Sequence, residues 1–254
     1  MKGFRFAKRM LHKHLPGGRR FCTVCESQVW TFLPYRGGKP SDLMEALDVV
    51  GSDIVNFECP RCHSHDRERH LYLYLRAASL LQPMSGKAVL HFAPEHHLAN
   101  LIATMQPARH VKCDLFPNSS EIEKADITNL LFPSDSFDVL IANHILEHVD
   151  NDMQALSEIY RVLKPGGIAI LQTPYSRKLL HTWSDNGITD EAARNQAFGQ
   201  EDHVRLYGQD IFDRISSSGL VSDVQSHDDL LAGVDFWKAG VNPVEPFFLF
   251  RKPA

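Results

Sequence analysis

Residues 126–149 read DITNLLFPSDSFDVLIANHILEHV. Within this stretch Phe137–Ala142 is a short apolar run between turn-forming and polar residues, the pattern of a buried strand. Working back from it, Lys124–Ile127, His110–Cys113 and Lys87–Phe92 read as three further strands, with a helix over His96–Met105. Working forward, Ala155–Leu163 is amphipathic and closed by Lys164, Pro165, Gly166 and Gly167, before a fifth strand over Ile168–Gln172. An insertion runs from about Ser176 to Gln200. Gly208–Ser217 then reads as helix, Leu220–Val224 as extended chain and Pro246–Arg251 as a last strand. Strands alternating with helices predict an α/β fold: a Rossmann-like, doubly wound, mostly parallel sheet with helices on both faces.

The N-terminal third has a different grammar. Residues 1–20 form a basic arm, in which Lys2, Arg5, Lys8, Arg9, Lys13, Arg19 and Arg20 precede the first acid, Glu26. Residues 21–63 carry two CxxC units, Cys22/Cys25 and Cys59/Cys62, around turn signals at Gly37-Gly38 and Pro40 and a short helix over Ser41–Val50, N-capped by Ser41. Residues 64–85 read as a connecting helix, leaving residues 86–254 for the α/β domain.

Two CxxC knuckles each place two sulfurs on one tight turn, so juxtaposing the turns makes a tetrahedral thiolate site for Zn²⁺. Redox thiols or unliganded core cysteines are the alternatives, and His63, His65 and His70 are substitute ligands. Four thiolates would fill the coordination sphere, which gives the metal a structural role and the region the character of a small zinc-ribbon-like module. The fifth cysteine, Cys113, reads as a strand residue.

The chain has 254 residues, 43% of them hydrophobic and 23% charged, with a net charge of −4, which is an ordinary globular composition. No apolar run approaches the ~20 residues that span a bilayer, and no signal-like stretch opens the sequence, so the expectation is a soluble, cytoplasmic protein. The sequence says nothing of oligomeric state.

In doubly wound sheets a nucleotide-like ligand sits outside the carboxyl ends of the central strands. The residues there are His91-Phe92-Ala93-Pro94-Glu95 after the first strand, Asp114 after the second, Asp126-Ile127 after the third and Asn143-His144 after the fourth. A carboxylate at Asp114 could accept from both hydroxyls of a ribose, and Asp126 with the adjoining backbone of Ile127 could read an adenine edge. Each of these acids singly also suits a helix cap or surface turn.

The 126–149 stretch, followed by EIYRVLKPGG at 158–167, closely resembles class I S-adenosylmethionine-dependent methyltransferases. With the double-CxxC module, the HFAPE run at 91–95 and FGQEDHVRLYG at 198–208, it resembles a little-characterised bacterial and plant group within that class. The resemblance covers about residues 21–225 and implies S-adenosylmethionine as cofactor, with Ala93, Glu95, Asp114, Asp126, Ile127, Asn143 and His144 around it. It departs from the class at Ala93-Pro94-Glu95, where a glycine-rich loop is usual. Ala93 is small enough for close approach, and Glu95 could pair with the cofactor's ammonium group or cap the following helix.

Methyl transfer from a sulfonium needs an acceptor held in line and, for a hydroxyl or amine, a group to remove a proton. His144, Glu147, His148 and His203 are the candidates. His144 and His148 would share one helical face, and His203, Arg205 and Tyr207 alternate, so an extended segment would point all three to one side. Arg205 could hold an anionic or carbonyl group, or else pair with Asp202 or Glu201. The first functional expectation is methyl transfer to O or N of a small-molecule or glycan-type acceptor. A second makes RNA the acceptor, held by the zinc module and basic arm. A third is a catalytically inactive module that binds S-adenosylmethionine.

Overall fold

The computed structural model describes residues 16–37 and 40–254; residues 1–15 of the basic arm and Gly38 of the turn signal lie outside them. A seven-stranded sheet forms from β1 (Ala88–Phe92), β2 (Arg109–Asp114), β3 (Glu123–Lys124), β4 (Phe137–Ala142), β5 (Leu163–Ile170), β6 (Val221–Ser222) and β7 (Leu249–Arg251), in the order β6-β7-β5-β4-β1-β2-β3. All pairings from β5 to β3 are parallel, and only β7 runs antiparallel, against β5 and β6. The α/β, mostly parallel expectation is met.

The residues explain the central position of β1 and β4. Leu90, Leu140, Ile141 and Ala142 are fully buried, so both faces of these strands are covered and they read as mostly apolar runs, broken only by His91 and Asp138. On one face Leu90, Phe92, Leu140 and Ala142 pack with Ala155, Leu156 and Ile159 of helix Asp152–Val162 and with Ile211 and Ile215 of helix Ile211–Ser216. Each of the Leu, Ile and Phe side chains among them stabilises the fold by roughly 1.5–3 kcal/mol.

Several boundaries differ: the third strand is Glu123–Lys124, so Asp126 and Ile127 follow it, the helix after Ser41 ends at Ala46 with Val49–Val50 as strand, the connecting helix is Asp66–Ala77, and the last strand starts at Leu249. The fifth strand begins at Leu163, not Ile168, because Lys164–Gly167 does not stop the helix but continues as strand: Gly166 N donates to Lys252 O and Lys252 N to Gly167 O. The preceding helix begins at Asp152, where Asn151 Oδ1 accepts from Gln154 N as a cap. The insertion is also structured. Tyr175–Ser176 pairs with Val49–Val50, Trp183–Ser184 with Arg205–Leu206, and helix Glu191–Phe198 packs Ala197 and Phe198 on Met44.

The chain divides into two compact units, and residues 40–51, 81–225 and 247–254 make the sheet-bearing one. The other comprises the described part of the first 39 residues with 52–80 and 226–246. It holds a hairpin, Arg20–Cys22 with Ser27–Val29, and helix Asp66–Ala77. Arg69, on that helix, is fully buried and donates to the carbonyls of Asn56, Phe57, Ser64, Ala239 and Gly240 while lying over the Phe32 ring. One guanidinium thereby satisfies carbonyls from three separate segments.

Candidate functional site

In the sheet-bearing unit the strand order reverses between β1 and β4, the topological switch point where a crevice forms outside the carboxyl ends. Both strands end there on non-glycine residues in the left-handed region: Ala93 at φ 41° and His144 at φ 54°. Ala93 N donates to Cys113 O and His144 N to Gln172 O, so each turn is fastened to the neighbouring strand. Such backbone costs about 1–3 kcal/mol apiece and clusters at functional sites.

Glu95 does not cap helix His96–Thr104, since no side-chain cap bond forms there. Its Oε2 lies 2.8 Å from His91 Nε2 and its Oε1 accepts from Asn143 Nδ2 at 3.1 Å. Burial alone would raise the Glu95 carboxyl, but the His91 and Asn143 contacts outweigh it and hold the group below its ordinary value. Asn143 Oδ1 in turn accepts from Gln172 N, and Gln172 Oε1 from Phe248 N. This chain of bonds, of which Gln172 was not read from the sequence, ties the ends of β1, β4 and β5 together; the only signal for Gln172 is its position just past β5.

Asp114 ends β2 half-buried, and its Oδ1 accepts from Phe116 N at 2.8 Å. Asp126 is exposed and closes a local turn by accepting from Thr128 N and Oγ1, while Ile127 is buried in the core. Cys113 lies within β2, and burial pushes its thiol up to about 12.

His144 and His148 do not share a helical face. His144 stands before a single 3-10 turn, Leu146–His148, and its positive φ takes it out of helical register. His203, Arg205 and Tyr207 do converge, all three on segment 146–152. The His148 and His203 rings meet edge-on at 4.7 Å. Arg205 donates to the carbonyls of Leu146, Val149 and Asp150, and its charge partner is Asp152 at 3.5 Å, not Asp202 or Glu201. Tyr207 Oη donates to Asp152 Oδ2 at 2.8 Å, and burial together with Asp152 holds the phenol well above its ordinary value. Asp152 also takes a two-point contact from Arg214. Sequence reading missed Asp152, because an acid at a helix start looks like an exposed dipole partner.

In the other unit Cys22, Cys25, Cys59 and Cys62 place all four sulfurs within 4.8 Å of one another. Arg61 N points at Cys59 Sγ from 3.4 Å and His63 N donates to Cys59 O, the tight turn expected of a knuckle. None of the substitute ligands joins the cluster: His63 binds Glu58, His65 stacks on Phe57, and His70 is buried against His227. Cys22 Sγ lies 3.7 Å from Cys62 Sγ, and Cys25 Sγ lies 4.0 Å from Cys59 Sγ. The donor set is sulfur-only and largely buried, which suits Zn²⁺. Among the described residues no helix is long and apolar enough to cross a membrane.

Residues 80–171 match the model of a family described as a methyltransferase domain. A probable S-adenosylmethionine-dependent methyltransferase of Mycolicibacterium smegmatis is 35% identical over 54 residues, covering 21% of each chain. A phthiotriol/phenolphthiotriol dimycocerosates methyltransferase of Mycobacterium leprae is 32% identical over 115 residues, 39% of this chain and 41% of its own. The chain thus spans less than half the length of these curated relatives. Among solved structures, an S-adenosylmethionine-dependent methyltransferase from Mesorhizobium loti aligns with a TM-score of 0.48 at 14% identity, covering 70% of this chain and 96% of that one. Through its matched segment, residues 80–171, which takes in β1 to β5, the chain is similar to a methyltransferase domain family, and the curated relatives it matches over part of their length are described as methyltransferases.

Proposed function

We propose that the chain transfers a methyl group from S-adenosylmethionine to oxygen or nitrogen of a small-molecule or glycan-type acceptor, with Cys22, Cys25, Cys59 and Cys62 holding a structural zinc ion. In this reading the methyltransferase domain begins near residue 86 and the zinc-binding module spans 21–63. The observation that carries it is the Glu95–Asn143 hydrogen bond at the β1/β4 switch point, which joins two strand ends with positive-φ turns in the sheet whose β2 ends on Asp114.

The cofactor supplies an electrophilic methyl on a sulfonium. The chain's part is to bind and orient. Ala93 lets backbone approach, Glu95 provides a fixed carboxylate charge for an ammonium group, and Asp114 offers acceptor oxygens to ribose hydroxyls. Asp126 and the Ile127 backbone lie where an adenine edge would be read. His144, at the end of β4, is the histidine placed to meet an acceptor. Arg205 and Tyr207, bonded to segment 146–152, act as positioning residues that hold this wall.

Thermal melting tests the reading. A ligand that binds the native state raises the melting temperature with concentration, so S-adenosylmethionine and its demethylated product should each do so, and no shift with either overturns it. Metal analysis should find at least one zinc per chain, with one equivalent lost when Cys22 and Cys59 are both replaced by Ser; a zinc content far below one refutes the structural metal.

A further inference from the structure

The His148–His203 contact has a third member. Glu147, His148 and His203 each bring one ligand-type atom within 4.8 Å of the other two, and Glu147 and His203 are almost wholly buried, at 2% and 3% exposure. They come from two segments, the 3-10 turn after β4 and the chain leading into Arg205–Leu206, tied together by Val204 N donating to Glu147 O at 2.9 Å. We propose that Glu147, His148 and His203 form a second metal site, for a divalent transition metal of the zinc type, distinct from the four-cysteine cluster.

Three features point the same way. The donor set, two imidazoles and a carboxylate, suits borderline divalent ions and leaves a coordination position open, unlike four thiolates. His203 Nδ1 lies 2.9 Å from Phe198 O, the last residue of helix Glu191–Phe198, whose chain turns away through Gly199 at φ 95°. A carbonyl can only accept, so Nδ1 carries the proton and Nε2 has the lone pair that a metal needs. Asp202 Oδ2 stands 3.2 Å from His148 Nδ1, and a carboxylate on one ring nitrogen orients the imidazole and raises its basicity toward a metal at the other. The open position would take water or, if the methyltransferase reading holds, an acceptor hydroxyl beside His144, which lies 3.5 Å from Glu147.

Titration of the full chain with Co²⁺ tests this without reference to activity. The cysteine cluster gives intense thiolate-to-cobalt charge-transfer absorption; the proposed site gives only weak d–d bands. Wild-type protein should take up a second equivalent that adds d–d absorption without charge transfer. Glu147→Gln and His203→Asn should lose that equivalent and keep the first. Asp202→Asn, an exposed change, should weaken it by roughly 10–100-fold. Absence of a second equivalent from the wild type, or its undiminished retention in Glu147→Gln and His203→Asn, overturns the proposal. Failure of the charge-transfer band alone would count against the cysteine site and leave this reading standing, and failure to bind S-adenosylmethionine would leave both metal results unchanged.

Discussion

Asn143 Nδ2 donates to Glu95 Oε1 across 3.1 Å, joining the ends of β4 and β1 where the strand order reverses. The same amide takes Gln172 N on its oxygen, so one side chain fixes three strand ends. Asn143→Ala removes both bonds and frees the Glu95 carboxylate to turn. It should weaken S-adenosylmethionine binding about 10-fold or more, equivalent to ~1.4 kcal/mol, while Glu95→Gln, which also deletes the charge, should weaken it further. Equal affinity in both variants and the wild type would show that the pair does not address the cofactor.

Ala93 adopts φ 41°, a conformation that glycine reaches without strain. Ala93→Gly should therefore melt no lower than the wild type and retain cofactor binding. Ala93→Val, whose branched β-carbon suits this region least, should lose stability by about 1–3 kcal/mol and bind more weakly. Denaturant midpoints of the two variants provide the comparison, and a destabilised Ala93→Gly would contradict the strain argument.

How far the fold could be read from residues depends on how local the cause is. Phe137–Ala142 was legible to the residue because a buried parallel strand writes itself as one apolar run. The Ser41 cap was legible too, and its Oγ accepts from Met44 N. The start of β5 was not, because Pro165 and two glycines look like a helix stop until Lys252 is known to pair beside them. Nor was the grouping of residues 226–246 with the cysteine unit, which depends on Arg69 meeting the carbonyls of Ala239 and Gly240 far along the chain. At the site, the acids at strand ends were legible by position, whereas the positive φ of His144 that separates it from His148 leaves no mark in a sequence of ordinary residues.

Asp152 is 1% exposed and takes hydrogen bonds from Arg214 and Tyr207, with Arg205 nearby. Breaking a buried pair by removing one partner costs about 3–5 kcal/mol, so Asp152→Leu should unfold the sheet-bearing unit at markedly lower denaturant. Tyr207→Phe removes one bond to a charged group, worth about 1.5–3 kcal/mol. That variant should lose stability yet keep its affinity for S-adenosylmethionine, since the hydroxyl faces Asp152. A Tyr207→Phe protein as stable as wild type but inactive would return the phenol to the chemistry.

His110 is lowered from 6.5 to about 4, first by burial and then by His91, whose ring stacks on it at 5.7 Å. The folded state therefore holds it neutral while the unfolded chain charges it near 6.5. Its contribution to stability is complete above that value and is lost as pH falls toward about 4. His110→Gln should flatten stability over this window, and an imidazole resonance titrating near its ordinary value would refute the assignment.

In the proposed function the acids at the ends of β1 and β2, beside β4, hold S-adenosylmethionine. The decisive experiment is calorimetric titration of the native full chain with the demethylated product, S-adenosylhomocysteine. One saturable site per chain, weakened at least about 10-fold (~1.4 kcal/mol) in Asp114→Ala, is the expected result; no binding to the wild type, or binding indifferent to Asp114, would contradict it.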